Sequence, residues 1–317
     1  MSNKTIAKFT FLVILFAVAW MLSGCTPAQP RSRYTVNASE VSADYTKPET
    51  IGRIESPEIT ESSGLAESLC QDDLLWTHND SGDDAFIFAI DRKGKHLGTW
   101  RLPSARNVDW EDMSTYKDPS GTCYLYLGDI GNNKRDRATL HIYRVKEPTI
   151  SPAGKNSTRK NPLQTDPADV LAYKYPDGAF DAETLLTQPQ TGDIYVLTKR
   201  FEGPSRIYRI RPTFGSNAPQ QAERLGEIAV PSVPNGLLTG GSIAPDGRRV
   251  VLCDYSAAYV LDLGTAATFD AIWQQKPSPI DMGDRKQGEA ITFTADGNAI
   301  IATSERRNPP MIEVKRK

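Results

Sequence analysis

The sequence predicts an all-β fold, a five-bladed β-propeller closed by an N-terminal strand, with six blades as the alternative. Short similar motifs recur five times, and their apolar residues include Leu65, Met113, Leu185, Ile243 and Ile291. Spacings of 48 to 72 residues, with room for about four strands per unit, are typical of propeller blades. Runs of β-branched and aromatic residues between turn signals predict strands in each unit, and no stretch has a sustained helical period.

The N-terminus predicts an exported, lipid-anchored protein. Lys4 and Lys8 precede an apolar run at 9–22, which is shorter than the roughly 20 residues of a membrane-spanning helix. A basic start, a short apolar run and small residues mark a secretory signal. The following Leu-Ser-Gly-Cys resembles the bacterial lipobox, in which the cysteine, here Cys25, becomes the lipidated first residue. Thr26 after it implies the outer membrane of the bacterial cell envelope.

The chain therefore divides into a signal peptide at 1–24, the lipidated cysteine with a flexible tether at 25–48, and the propeller at 49–317. The tether is rich in Pro, Ser, Thr and Ala, so it cannot bury enough surface to fold. The formal net charge is −2 and no basic stripe is present, which excludes a nucleic acid polymer as the partner.

Three cysteines remain after lipidation, and an exported chain meets an oxidising environment in which disulfides form. Cys70 and Cys123 fall at matching places in adjacent units, just before the second strand of each. We expect these two to pair. Cys253 lies within an apolar strand and is expected to stay free.

The order of elements within the units predicts how the ring closes. The predicted fourth strands at 97–103 and 225–231 share a pattern that occurs again at 51–57, before the first unit. The last unit ends too soon to hold such a strand, so the N-terminal strand should complete the fifth blade by pairing with 311–314, which removes open edges. The longest interval between motifs contains a polar insertion at 148–166, predicted as a surface loop. A degenerate blade hidden there would give six blades.

The motifs also carry one oxygen-bearing side chain each, near the predicted axis. These residues are Ser63, Glu111, Glu183, Ser242 and Glu289. Three glutamates around a narrow channel repel one another unless a cation lies between them. A hard cation with six to eight oxygen ligands fits Ca²⁺ better than Mg²⁺ or Zn²⁺. The alternative is that each glutamate is solvated at the channel mouth or tied to the backbone of a neighbouring blade.

The loops of one face supply further candidates. In an up-and-down blade, the loops that enter the first strands and those that follow the second strands share a face. The candidate catalytic residues there are Asp80, Asp129, Lys199, Arg200 and Arg306. In an enzyme, either aspartate would orient or deprotonate the attacking water and the basic residues would hold phosphates. The alternative for the basic residues is solvated surface charge.

The Ser, Glu, Glu, Ser, Glu order around a five-bladed axis resembles that of the calcium-activated nucleotidases, or apyrases. Trp-Thr-His-Asn-Asp-Ser-Gly at 76–82 is similar to the first-blade loop of that family, and Lys199-Arg200 falls at its paired-basic motif. The resemblance implies that the five oxygen-bearing residues hold a central Ca²⁺. A looser likeness is to the esterase-like phytase propellers.

Two classes of function follow from these observations. One is the hydrolysis of a phosphate ester or anhydride of a small molecule, in which Ca²⁺ polarises a phosphoryl oxygen. The other is a non-catalytic module that binds a glycan, a peptide or another envelope protein, with a structural ion or none. Both classes occur on propellers, so the fold alone does not separate them.

Overall fold

The computed structural model describes residues 41–317. The predicted signal peptide, the predicted lipidation site Cys25 and most of the predicted tether lie outside the described residues. Within the described range, none of the helices has the length and apolar character needed to cross a bilayer.

Five sheets form the five predicted blades, and their strands are antiparallel except for the two-residue outer strands of blades 1 and 2, which pair in parallel. The first strands of the blades contact one another in a closed cycle, which makes them the inner wall of the ring. The strands, from the axis outwards, are Ser62–Glu67, Leu75–Asn79, Phe86–Ile90, His96–Arg101 and Leu163–Gln164 in blade 1; Trp110–Lys117, Cys123–Asp129, Leu140–Lys146, Asp169–Lys174 and Gln220–Gln221 in blade 2; Ala182–Thr187, Ile194–Thr198, Ser205–Ile210 and Glu223–Ile228 in blade 3; Gly240–Ile243, Arg249–Cys253, Ala258–Asp262 and Ser278–Ile280 in blade 4; and Gly288–Phe293, Ala299–Ser304, Pro310–Lys315 and Glu49–Arg53 in blade 5.

The N-terminal strand closes the ring as predicted. Glu49–Arg53 pairs antiparallel with Pro310–Lys315, with Thr50 opposite Ile312. Five blades are therefore complete without a sixth. Tyr45, which precedes this strand, is 7% exposed and packs in the core between blades 4 and 5. Residues before position 49 thus already belong to the folded body.

The insertion at 148–166 differs from the predicted surface loop because it packs on blade 1. It contains the 3₁₀ helix Pro152–Asn156 and the short strand Leu163–Gln164, which pairs in parallel with Trp100 and Arg101. The side chain of Ser157 accepts a hydrogen bond of 2.8 Å from the Thr99 amide. The insertion therefore covers the outer edge of blade 1. The second short helix, Phe269–Gln274, covers the outside of blades 3 and 4.

Apolar clusters between neighbouring blades hold the ring together. Burial of such surface stabilises by roughly 25 cal/mol per Å². A disulfide adds a covalent link between blades 1 and 2, because Cys70 and Cys123 are bonded with their Cα atoms 6.2 Å apart. Cys253 is a free, buried thiol in the second strand of blade 4.

Candidate functional site

Four of the five inner strands contain a bulge at the same level of the axis. The ladder shifts register between Ser62 and Gly64, Trp110 and Asp112, Ala182 and Thr184, and Gly288 and Ile291. A β-bulge redirects a side chain out of the regular alternation. The residues within the four bulges are Ser63, Glu111, Glu183 and Glu289, all of them at most 4% exposed. The three glutamates of the sequence analysis thus share one structural position.

Ser242 does not join this set. The described ladder of blade 4 runs without a shift, with Gly240 opposite Cys253 and Ser242 opposite Val251. A side chain on Gly240 would meet the Glu289 carbonyl at 2.2 Å, so the close approach of blade 5 requires glycine there. Ser242 lies further along the strand, where its hydroxyl accepts a hydrogen bond of 3.3 Å from the Phe293 amide.

Ser63 occupies the shared position in blade 1, but its hydroxyl is committed to the backbone. Its Oγ donates a hydrogen bond of 2.5 Å to the carbonyl oxygen of Glu111. That contact joins blade 1 to blade 2. The alternative considered from the sequence, a side chain tied to the neighbouring blade, therefore describes the serine better than the glutamates.

A lysine ammonium lies among the glutamates. Lys199 is 3% exposed, and its Nζ donates to Glu183 Oε1 and, at 2.7 Å, to the hydroxyl of Tyr255. Burial alone would lower the pKa of Lys199, but Glu183 and Tyr255 hold it well above the ordinary value. Burial raises the pKa of Glu183 to about 8 despite the lysine, and raises the pKa values of Glu111 and Glu289 well above their usual range. One internal cation therefore balances part of the axial charge.

A second group of carboxylates lies beside Glu111. One oxygen each from Asp80, Asp109 and Glu111 lies within 4.8 Å of the others, and both aspartates are half-buried. Burial, with repulsion from Asp109, raises the pKa of Asp80 to about 7. Burial, with repulsion from Asp181, also raises the pKa of Asp109.

Backbone contacts fix the two loops that carry these aspartates. The side-chain amide of Asn107 donates at 3.0 Å to the carbonyl of Asp80, which joins the two loops. The amide of Asp109 donates at 3.0 Å to Asp129 Oδ1, and Asp129 pairs at 2.8 Å with Arg137. Asp129 therefore supports the Asp109 loop from behind, and the structure does not bring it into the cluster with Asp80.

The two candidate arginines lie on loops of the same face, outside the axial cluster. Arg200 Nη1 donates at 2.9 Å to the carbonyl of Pro204. Arg306 donates at 2.8 Å to Oε1 of Gln287. Arg306 is thus held by a neutral loop acceptor, whereas Arg200 also pairs with Glu227 Oε1 at 3.6 Å, and both side chains retain solvent exposure.

Four further residues, to which the sequence motifs gave no role, shape this site. Asp109, Asp181 and Glu305 add carboxylates with raised pKa values, and Tyr255 holds the lysine. A signal was present, since Asp109 and Asp181 each precede their bulge glutamate by two residues. In all, six carboxyl groups interact electrostatically with the ammonium of Lys199: Asp109, Glu111, Asp181, Glu183, Glu289 and Glu305.

No protein-family model matches the chain, and no curated protein does. Among solved structures, the chain is similar to a gluconolactonase from Xanthomonas campestris, with 14% identity, a TM-score of 0.45 and coverage of 91% of this chain and 95% of that one. It is also similar to a soluble aldose sugar dehydrogenase from Escherichia coli, with 8% identity, a TM-score of 0.46 and coverage of 86% and 100%. Such similarities concern the fold alone, and they do not confirm the nucleotidase resemblance. By its own sheets, the chain is a five-bladed β-propeller.

Proposed function

We propose that this protein is a Ca²⁺-dependent hydrolase of a small anionic ester or anhydride. The observation that carries the proposal is the convergence of Asp80, Asp109 and Glu111, whose oxygens lie within 4.8 Å of one another. Two oxygens bound to one Ca²⁺ at about 2.3–2.6 Å are separated by at most roughly 5.2 Å. The cluster therefore has the dimensions of one Ca²⁺ site.

The donor set supports a hard cation. Every converging side chain offers oxygen, which suits Ca²⁺ and not a thiophilic metal. Six carboxyl groups interact with the one ammonium of Lys199, so the cluster carries excess negative charge whenever it is ionised. Among the described residues, Glu183 Oε2 is buried without a hydrogen-bond partner, and buried carboxylate oxygens need one.

The partial exposure of the site favours catalysis over a structural ion. An ion enclosed by protein on all sides would be structural, whereas a site with open positions admits water or substrate. Asp80 and Asp109 are half-buried, so the cluster is accessible from the face of the propeller. A bound Ca²⁺ supplies polarisation of a phosphoryl or acyl oxygen.

The chain's own residues have distinct parts in this proposal. Asp109 and Glu111 would hold the ion, with Asp129 and Arg137 supporting the Asp109 loop. Asp80, the third carboxylate of the cluster, would accept the proton of the attacking water, because it lies beside the ion ligands and is partly open to solvent. Lys199 neutralises the charge of Glu183 by forming an ion pair with its Oε1. This pair fixes the orientation of the carboxylate and therefore the position of its second oxygen, Oε2.

The arginines at the rim would bind the anionic group of the substrate. Arg306 donates to a neutral loop acceptor, which a phosphate oxygen can replace with a stronger, charge-assisted bond. Arg200 would exchange its contact with Glu227 at 3.6 Å for the substrate anion.

The test is a calorimetric Ca²⁺ titration of the full-length protein, with hydrolysis of p-nitrophenyl phosphate and of nucleoside di- and triphosphates assayed on the same samples. Asp109→Asn and Glu111→Gln should abolish saturable binding and Ca²⁺-dependent turnover together. Glu55→Gln, at an exposed position away from the axis, is the matched control and should change neither. Absence of saturable Ca²⁺ binding in the unsubstituted protein would overturn the proposal.

A second candidate is a non-catalytic module for an envelope protein, a peptide or a glycan. Over residues 41–317, the large hydrophobic side chains that are exposed are Val108, Phe201 and Val233, at 54%, 43% and 62%. All three lie on loops of the face that carries the acidic cluster. Trp110 does not contribute, because it is fully buried. Ca²⁺ binding without turnover on any ester would favour this candidate.

The anchoring at Cys25 is part of the same proposal. Lipidation there would hold the propeller at the bacterial outer membrane. Metabolic labelling with radioactive palmitate should mark the protein, and Cys25→Ser should remove the label and release the chain from the membrane fraction. Persistence of label in that variant would refute the assignment.

A further inference from the structure

The insertion at 148–166 extends along the outer edge of blade 1 to the face that carries the acidic cluster. Near its middle, Thr158 and Asn161 form an antiparallel bridge. The Thr158 amide donates at 3.2 Å to the Asn161 carbonyl, and the Asn161 amide donates at 3.0 Å in return. Arg159 and Lys160 therefore form the tip of a tight turn.

Both sides of this turn are fixed to the fourth strand of blade 1. Ser157, which precedes the turn, is 5% exposed, and its hydroxyl accepts at 2.8 Å from the Thr99 amide. Leu163, which follows the turn, pairs in parallel with Trp100. The tip is thus carried by a segment that is hydrogen-bonded to the blade on both sides.

Arg159 joins two loops of the acidic face. Its Nη2 pairs with Asp83 Oδ1, in the loop between the second and third strands, and its guanidinium lies over the ring of Phe86 at 5.6 Å. Its backbone amide donates to both carboxylate oxygens of Glu58, at 3.0 and 3.1 Å, in the segment that enters the first strand. We call these contacts the Arg159 clamp.

The ion-pair partner Asp83 belongs to the same loop as Asp80. Its side chain is 7% exposed, and its Oδ2 accepts at 2.8 Å from the side-chain amide of Asn79. The Oδ1 atom of Asn79 accepts from the backbone amides of Thr60 and Glu61, at 2.9 and 3.1 Å. The backbone amide of Asp80 donates at 3.0 Å to the Glu61 carbonyl. Asp80 therefore lies between two residues, Asn79 and Asp83, that one hydrogen-bond network fixes.

Without the guanidinium, the Asp83 carboxylate would lose its charged partner. A carboxylate as buried as this one is costly unless it is paired. The other donors to it within the described residues are amides of Asn79 and Asp84, which are neutral. The loop would then adopt arrangements in which Asp83 turns towards solvent and Asp80 moves with it. Catalytic side chains have to be held within about 0.5 Å of their productive position.

We propose that Arg159 is a positioning residue for the hydrolysis, because it fixes the loop at 80–84 and so holds Asp80 beside the ion ligands. The part given to Asp80 rests on the proposed function, whereas the Arg159 clamp is a property of the fold. The loop of Asp109 is held separately, through the bond of its amide to Asp129. Loss of the clamp should therefore lower turnover and leave Ca²⁺ binding in place.

The first experiment is hydrogen–deuterium exchange, read by mass spectrometry of peptides, on the full-length protein in micelles of an uncharged detergent. In Arg159→Ala, amide exchange over 58–62 and 80–86 should be about tenfold faster, with the inner strands of blades 3 and 4 unchanged. Arg159→Lys keeps a positive charge beside Asp83 and should restore most of the protection. Lys160→Ala is the matched control, because it removes one exposed positive charge from the neighbouring position of the turn and should leave exchange unchanged.

The second experiment measures turnover and Ca²⁺ affinity of the same variants. With p-nitrophenyl phosphate and nucleoside phosphates, Arg159→Ala should lower kcat about tenfold, while KM and the calorimetric Ca²⁺ affinity stay within about twofold. Arg159→Lys should recover most of the turnover, and Lys160→Ala should match the unsubstituted protein.

Each outcome bears on one proposal. Unchanged exchange in Arg159→Ala, or equal changes in Arg159→Ala and Lys160→Ala, overturns the Arg159 clamp. Faster exchange with unchanged kcat overturns the positioning of Asp80. An unsubstituted protein with neither Ca²⁺ binding nor turnover overturns the proposed function and leaves the clamp standing, because exchange reports on the clamp directly. The two proposals therefore fail separately.

Discussion

Replacing Lys199 by Met tests whether the lysine ammonium serves as the counter-ion of the axial carboxylates. Its side chain is 1% exposed and that of its partner Glu183 is 5% exposed, so the ion pair is fully desolvated. Met preserves most of the length and volume of the lysine stem. The substitution therefore removes the charge with little change in packing.

The expected loss is large because a buried carboxylate would remain without its partner. Removing one member of a buried ion pair destabilises by about 3–5 kcal/mol. Glu183→Gln alone should cost a similar amount, since it leaves the ammonium unpaired. In the double variant both charges are absent, so its loss should be no greater than that of either single variant. The two positions should thus couple by at least about 2 kcal/mol.

The assay is urea unfolding of the four proteins at pH 9, above the pKa of about 8 of Glu183, with EDTA and again with saturating Ca²⁺. A ligand at one hundred times its dissociation constant stabilises by about 2.7 kcal/mol. Ca²⁺ should stabilise Lys199→Met more than the unsubstituted protein, because Glu111, Glu183 and Glu289 have then lost their internal cation. Strictly additive single losses, with coupling below about 0.5 kcal/mol, would refute the counter-ion interpretation.

Three further predictions concern stability and ion binding. Replacing Cys70 and Cys123 by Ala should lower the free energy of unfolding by about 4 kcal/mol, because the bond closes a loop with a sequence separation of 53; urea unfolding checks this, and a loss below about 1 kcal/mol would contradict it. Burial lowers the pKa of His78 to about 4, so below pH 6.5 the unfolded state takes up the proton first and stability present at pH 7 is lost as the pH falls. Between pH 7 and pH 5 the free energy of unfolding of the unsubstituted protein should therefore fall by about 2 kcal/mol more than that of His78→Asn. The carboxyl groups contribute in the opposite direction, but equally in both proteins, so their contributions cancel in this difference. Equal pH dependence of the two proteins would exclude the role of His78 in acid destabilisation. Ser63→Ala should leave the calorimetric Ca²⁺ affinity unchanged whereas Asp109→Asn abolishes it, and the reverse pattern would restore Ser63 as the ligand.

The blade count and the closure were predictable because they depend on local signals. Strands with alternating apolar residues, hairpin turns and a repeated fourth-strand pattern can be identified in the sequence. The pairing of Glu49–Arg53 with Pro310–Lys315 confirms the predicted closure. The insertion at 148–166 was beyond such reasoning. Its strand, Leu163–Gln164, is two residues long and exists through its tertiary contact with Trp100 and Arg101, which leaves no periodicity in the sequence.

The site was predictable in part for the same reason. Glu111, Glu183 and Glu289 share a motif, and their common bulge gives that motif a structural meaning. Ser242 looked equivalent in the sequence, but its inner strand lacks the bulge. A bulge depends on pairing with the neighbouring strand rather than on local composition, so the motif alone does not reveal its absence. Lys199 was assigned to substrate binding from its charge, but the depth of its ammonium depends on the assembled ring.

The shared sheet of the two chain ends has a consequence for biosynthesis. The amide of Lys315 donates to the Thr46 hydroxyl over a sequence separation of 269, so these contacts form only after nearly the whole polypeptide has been made. Contacts between distant positions slow folding, because loop-closure entropy is lost before the contact forms. Until Pro310–Lys315 has been delivered, two strand edges remain open to other chains. Synthesis of this protein therefore includes an interval in which a nearly finished ring has open strand edges that can pair with other chains, and truncation at the C-terminus would make that interval permanent.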